Sequence, residues 1–151
     1  MHFHLYSLLR MAHLLVMAAW LANGLTVTSD MRRTIPLGKP HTELLIARIH
    51  RSSRITIGSG LLTIATGLAL VFAQGGFSAM PLRIHVGLGL TLLTCGVGAA
   101  LAEPSWQRVV KAIRGDEDAA EVSRLARRFS AFYGVEHALK LVIAALMIFK
   151  L

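Results

Sequence analysis

The chain has 151 residues, of which 54% are hydrophobic and 16% charged, and it carries a formal net charge of +8. A soluble domain of this length is usually less apolar and distributes its charges evenly. The single cysteine excludes an internal disulfide and a zinc-type cysteine set, and the sequence has no nucleotide-binding glycine loop and no nucleophile elbow.

Charged residues are nearly absent from four windows, residues 5–25, 55–73, 82–101 and 132–149. Each window has the length that a helix needs to cross a hydrocarbon layer of roughly 30 Å. Because lipid cannot satisfy backbone polar groups, such spans must be helical. The sequence therefore predicts an all-α, polytopic membrane four-helix bundle that forms one transmembrane domain over residues 1–151.

The positive charge is concentrated in the two long segments between spans, residues 26–54 and 102–131. These segments hold 12 of the 16 basic residues: Arg32, Arg33, Lys39, Arg48, Arg51, Arg54, Arg108, Lys111, Arg114, Arg124, Arg127 and Arg128. The positive-inside rule then predicts two cytoplasmic loops and both termini outside, in a bacterial inner membrane. Topology and attraction to anionic lipid account for the charge, so the bilayer is the expected partner and nucleic acid is not.

Turn residues predict where the helices begin and end. The first helix runs to about Arg33, because the prolines and glycine of residues 35–40 cannot continue it. The second helix begins near His41 and ends at residues 74–76, Gln-Gly-Gly. Pro81 suits the first turn of the third helix.

The segment between spans three and four predicts two further features. Pro104 ends or kinks the third helix, and residues 105–114 form a short amphipathic helix in the membrane interface, with Gly115 as its C-cap. The acidic residues 116–118 then place negative charge at the N-terminus of a fourth helix, where the helix dipole favours it.

Histidines near the starts of the apolar windows are the candidate ligands of a haem. Spans alternate in direction, so His13 and His85 lie towards the same membrane side and form the best predicted pair, and His13 with His137 is the second. His50 falls outside the hydrocarbon layer among arginines. The alternative is that these are packed histidines without a ligand.

Three cations accompany these histidines. Arg10 lies one turn outward from His13, and Arg83 lies just outward of His85, so both are candidates to pair with haem propionates. Lys140 shares a helical face with His137. It is a candidate proton-active or anion-holding group, and the alternative is a side chain that extends to the membrane surface.

The sequence RMAH at residues 10–13, followed by WLANG at residues 20–24, resembles the first span of the HemJ-type protoporphyrinogen oxidases and of CopD-like copper-resistance proteins. The resemblance covers about 20 residues of sequence, together with the topology of the whole chain. It implies a four-helix membrane domain and, for the HemJ type, b-type haem and porphyrinogen oxidation. The resemblance implies that His13 is a haem ligand or otherwise essential, and that Trp20 and Gly24 share its helix face.

Three functions stay open at this point. The first is a b-type haem protein that transfers electrons between a quinone or porphyrin-like donor and a partner, and the second is a HemJ-like oxidase. The third is a copper-handling protein or a non-catalytic subunit, since methionine and histidine can bind Cu(I), although the methionines form no Met-x-x-Met track. A small-residue stripe, Gly87, Thr91, Cys95 and Ala99, offers a packing face for a homodimer or a larger redox complex.

Overall fold

The structure, a computed structural model, describes residues 2–148. Four helical rods in it are long and apolar enough to cross a membrane, which confirms the all-α membrane four-helix bundle. The helices are α1 (His2–Ala22), α2 (Val27–Thr34), α3 (His41–Ala73), α4 (Leu82–Val97), α5 (Glu103–Arg114) and α6 (Ala119–Ile148). In the bundle α1 packs mainly against α3, and α6 packs against both α4 and α5.

The first rod is interrupted where the sequence predicts a continuous helix. After α1 the chain turns at Asn23 and Gly24 and resumes as α2. Gly24 has a φ of +86°, which a residue with a Cβ atom rarely adopts, and a Cβ there would overlap the Tyr133 hydroxyl. A glycine at this break therefore permits the close approach of Tyr133 on α6.

The predicted turns lie at the expected places. A 3-10 turn, Ile35–Leu37, and Gly38, at a φ of +67°, precede α3, which begins at His41. Gly75 and Gly76, with φ values of +100° and +87°, follow the end of α3. Pro81 differs slightly from the prediction, because it is the N-cap of α4 and the helix begins one residue later.

Pro104 does not end the third rod. Between α4 and α5 lies a π-helical segment, Gly98–Ala102, in which the Glu103 N–H donates to the Gly98 carbonyl five residues earlier. The wider turn accommodates the proline, which has no N–H to donate, at the start of α5. The rod is therefore helical from Leu82 to Arg114.

The best-buried core lies at the end of the bundle that carries the two long basic segments, here called the basic end. It is formed by Val27, Met31, Leu45, Ile46, Ile49, Ala102, Trp106, Val109, Val110, Ala112, Ile113, Val122, Ala126 and Phe129. The two segments between the spans, residues 26–54 and 102–131, are largely helical, in agreement with the helix bounds predicted from their turn residues. The apolar face of α5, predicted to lie in the membrane interface, packs inward because α2, α3 and α6 extend far enough to cover it.

Candidate functional site

A cavity of about 330 Å³ opens at the opposite end of the bundle, here called the terminal end, where α1 begins and α6 ends. Apolar side chains of all four rods form most of its walls. Its polar lining groups are Tyr6, Arg10, His13, Thr63, Gln74, Arg83 and Thr91. The volume lies at the lower end of the range of ligand pockets, about 300–1,000 Å³. This terminal cavity is the candidate ligand site.

Three residues singled out in the sequence meet in the terminal cavity. His13 and Arg10 line it from α1, and Arg83 lines it from the first turn of α4. Neither arginine has an acidic partner within 4 Å among residues 4–147. Two unpaired guanidinium groups in a cavity with mostly apolar walls suit a ligand with an apolar body and an anionic edge.

His13 is held against α3 through its Nδ1 atom. Nδ1 lies 2.8 Å from the Thr66 hydroxyl, which itself lies 2.7 Å from the Leu62 carbonyl oxygen. When the hydroxyl donates to that carbonyl it accepts from the Nδ1–H group, and in that tautomer Nε2 keeps its lone pair. A Cβ at Gly67 would lie 3.2 Å from the His13 Cε1 atom, so the glycine leaves room for the ring. Such a fixed imidazole can ligate a metal through Nε2.

Three methionines also line the terminal cavity, Met17 from α1, Met80 from the loop before α4 and Met147 from α6. They are far apart in the sequence, and no local spacing signals that they belong together. The fold therefore brings soft sulfur donors and one imidazole to the same cavity.

His85 lies outside the cavity. Its side chain is exposed, with Nδ1 3.4 Å from the Pro81 carbonyl oxygen and its ring centroid 6.0 Å from that of Phe77. Ile84 and Leu88 line the cavity from α4, and the residue after Ile84 is turned about 100° away from that face. The predicted His13–His85 pair is therefore not assembled, because a shared depth does not fix the direction in which a side chain points.

His137 is engaged elsewhere. Its Nδ1 lies 3.1 Å from the Tyr133 carbonyl oxygen, and its Nε2 lies 3.3 Å from the Asn23 carbonyl oxygen at the break in the first rod. The Asn23 amide donates to the Ser52 carbonyl and to the Thr56 hydroxyl, at 2.8 and 2.6 Å. Both ring nitrogens therefore lie against backbone carbonyl oxygens, and His137 does not line the terminal cavity. Its predicted role as a substitute ligand conflicts with this position.

Lys140 and Glu136 on α6 form an ion pair next to the terminal cavity, on the side of the basic end. Lys140 is about one helical turn from Ile143, which lines the cavity. The Lys140 Nζ lies 2.7 Å from Glu136 Oε1, and their side chains are 1% and 7% exposed, so the lysine does not extend to the surface. Its ammonium group also lies 5.0 Å from the centroid of the Trp20 ring. Nζ makes no directed hydrogen bond in the described residues. The desolvation cost of the buried ammonium group is therefore offset by its attraction to the Glu136 carboxylate and to the Trp20 ring.

The glutamate of this pair could have been found from the sequence. Glu136 and Lys140 are opposite charges at i and i+4 inside an apolar window, which is the spacing of an intrahelical ion pair. The sequence interpretation grouped Lys140 with His137 instead. Opposite Glu136, Gly98 begins the π-helical segment, and a Cβ there would lie 3.5 Å from Glu136 Oε2.

Clusters that could hold a metal by histidine, cysteine and carboxylate alone are not found in the part of the chain that the structure describes. A metal at the terminal cavity would therefore rest on His13 together with sulfur or porphyrin donors. No family model, curated protein or solved structure matches the chain.

Proposed function

We propose that this chain is a membrane electron-transfer protein that binds a b-type haem in the terminal cavity through His13. The supporting observation is the contact of His13 Nδ1 with the Thr66 hydroxyl at 2.8 Å, beside the cavity that His13 lines, because a ring held through Nδ1 can ligate a metal through Nε2. The binding is non-covalent, since the sequence has one cysteine and no Cys-x-x-Cys-His motif.

The residues of the cavity fit one histidine ligand and do not fit two. His85 and His137 do not line the cavity, whereas Met17, Met80 and Met147 offer thioether sulfurs for a second ligand. Arg10 and Arg83 are suited to the propionates, which are carboxylates on one edge of the porphyrin. A bound haem supplies one-electron chemistry, and the protein sets its potential through the ligands and the surrounding dielectric.

The proposed setting is the bacterial inner membrane, with the basic end in the cytoplasm and both termini outside. The terminal cavity would then face the outer leaflet, where a membrane quinone or a partner subunit of a redox complex can reach it. The same cavity and arginines would suit a porphyrinogen, which is the substrate of the HemJ-like alternative. Complementation of a strain that lacks protoporphyrinogen oxidation tests that alternative.

The visible spectrum of the purified protein tests haem binding. We expect a Soret band and a reducible α-band in the wild type, their loss in His13→Ala and their retention in His85→Ala. The second variant is the matched control, because it removes an exposed imidazole outside the cavity. Absence of the bands from the wild type, or equal loss in both variants, would contradict the proposal.

A second function, binding of Cu(I), is favoured by one observation, the presence of three methionines with His13 around the same cavity. Metal analysis distinguishes it from haem binding. Stoichiometric copper without haem in the wild type, and its loss when Met17, Met80 and Met147 are changed to leucine, would establish the copper function instead.

A further inference from the structure

A second cavity lies at the basic end, between α2 and the first half of α6, and has a volume of about 560 Å³. Its floor is apolar and includes the buried side chains of Met31 and Ala126. Arg32 on α2 and Arg127 on α6 line it from opposite walls. This basic-end cavity is separate from the terminal cavity and takes no part in the proposed function.

The basic-end cavity lies where α6 leaves the hydrocarbon layer. Ala131, which lines it, directly precedes Phe132, the first residue of the fourth apolar window. Ser123, another lining residue, is eight positions earlier, or about 12 Å farther along the helix axis. The cavity therefore spans the depth of the polar headgroups, which occupy about 5–8 Å on each side of the hydrocarbon layer.

The two arginines of this cavity are unpaired, although acidic residues are available at the same end of the bundle. Four of those acidic side chains pair with other cations, as Asp30–Arg48, Glu43–Arg114, Asp116–Lys39 and Glu121–Arg124. Arg32 and Arg127 have no acidic partner within residues 4–147, and no acidic residue lines the cavity. The cavity thus presents two guanidinium groups with free donors.

Three hydroxyl groups of the cavity are also without a partner. In the spans, the hydroxyls of Ser59 and Thr63 donate to carbonyls four residues earlier, as helical serine and threonine often do. Those of Thr28, Ser123 and Ser130 make no hydrogen bond within the described part of the chain. Hydroxyls and arginines that face one space are the donors that bind a phosphate group.

We propose that the basic-end cavity binds the phosphate headgroup of an anionic phospholipid. Arg32 and Arg127 hold the phosphate oxygens, and the three hydroxyls donate to the remaining oxygens or to the headgroup alcohol. A lipid fits better than a soluble phosphate, because the floor is apolar and the surface beyond it is apolar as well. Ala131, Val135, Ala138 and Val142 continue along one exposed face of α6 towards the bilayer centre, where acyl chains can lie.

Native mass spectrometry of the full chain in detergent, titrated with phosphatidylglycerol or with phosphatidylcholine, tests this site. We expect one phosphatidylglycerol bound with an apparent affinity at least about tenfold above that of phosphatidylcholine. The double variant Arg32→Gln with Arg127→Gln should bind the two lipids equally. The matched control, Arg33→Gln with Arg108→Gln, removes the same charge from exposed positions outside the cavity and should keep the preference.

A third variant, Ser130→Phe, fills the cavity while both arginines remain, and it should also lose the preference. The fluorescence of the two buried tryptophans, Trp20 and Trp106, reports whether each variant is folded. If the double variant does not fold, the result for Ser130→Phe tests the site by itself. Equal loss in the test and control doubles, or full retention in Ser130→Phe, would overturn the site. If glycerol phosphate displaces the bound lipid as readily as a short-chain phosphatidylglycerol does, the cavity binds a soluble phosphate ester, and the proposal of a lipid site is overturned.

Discussion

The buried pair of Lys140 and Glu136 allows a sharp test of what holds the spans together. The change is Lys140→Met, which keeps the length and much of the volume of the side chain but removes its charge. The Glu136 carboxylate then stays in an interior where its side chain is only 7% exposed, without the ammonium group that lies 2.7 Å away in the wild type. Removal of one partner from a buried ion pair costs about 3–5 kcal/mol of unfolding free energy.

The reciprocal change should cost less, for a reason that the geometry supplies. In Glu136→Gln, the lysine loses its carboxylate but keeps the Trp20 ring, whose centroid lies 5.0 Å from Nζ. A desolvated cation–π contact is worth about 2 kcal/mol, so we expect a loss of about 1–3 kcal/mol. The double variant, Glu136→Gln with Lys140→Met, leaves no lone charge and should lie within about 1 kcal/mol of the wild type.

Equilibrium unfolding in mixed micelles, with sodium dodecyl sulfate as the denaturant and helical circular dichroism as the signal, measures these differences. The surface pair Glu121–Arg124 is the control, because those side chains are 35% and 62% exposed. Arg124→Gln should leave the free energy of unfolding unchanged within the error of the measurement. If the double variant loses as much free energy of unfolding as the two single variants together, the two residues act independently. The reasoning that each charge of the buried pair compensates the other would then be wrong.

Four other changes test the packing and one helix cap. Gly24→Ala places a Cβ against the Tyr133 hydroxyl at a positive φ, and it should lower the free energy of unfolding by about 2 kcal/mol or more in the same micelle assay. The control is Gly58→Ala, which should be neutral or stabilising because there is open space around Gly58. Trp106→Ala should cost about 3–5 kcal/mol, measured by thermal unfolding, because the ring is 1% exposed. Asp118→Ala should cost about 1 kcal/mol and fray the start of α6 in amide hydrogen exchange, since its carboxylate accepts a backbone N–H of the first turn, at 2.7 Å.

The four helical rods and the turns between them could be predicted from the sequence, because lipid and turn chemistry leave few alternatives. Apolar windows without charge predict the four rods, because a backbone in hydrocarbon has no alternative to a helix. Gly38 and the pair Gly75–Gly76 mark turns that need a positive φ, and all three residues have one. Pro104 was predicted to end or kink the third helix. It does not end the helix, because the π-helical segment before it accommodates the proline.

The site was harder to predict, because depth along a helix does not give direction around it. Arg10, His13 and Arg83 line one cavity, as their shared depth suggests, but His85 is turned away from it. The methionines of the cavity come from three distant parts of the chain, so only the fold reveals that they belong to one site. Whether His13 binds haem stays a prediction for the visible spectrum to test.

The core around Trp106 has a consequence for how the molecule responds to its solvent. Segments 26–54 and 102–131 lie beyond the apolar windows, so water is the alternative environment for their buried side chains, and the hydrophobic effect holds them together. Between the spans, the alternative is lipid, and close packing and polar contacts must provide the stability. We therefore expect urea to unfold the basic end of the bundle, and a harsh detergent to separate the spans.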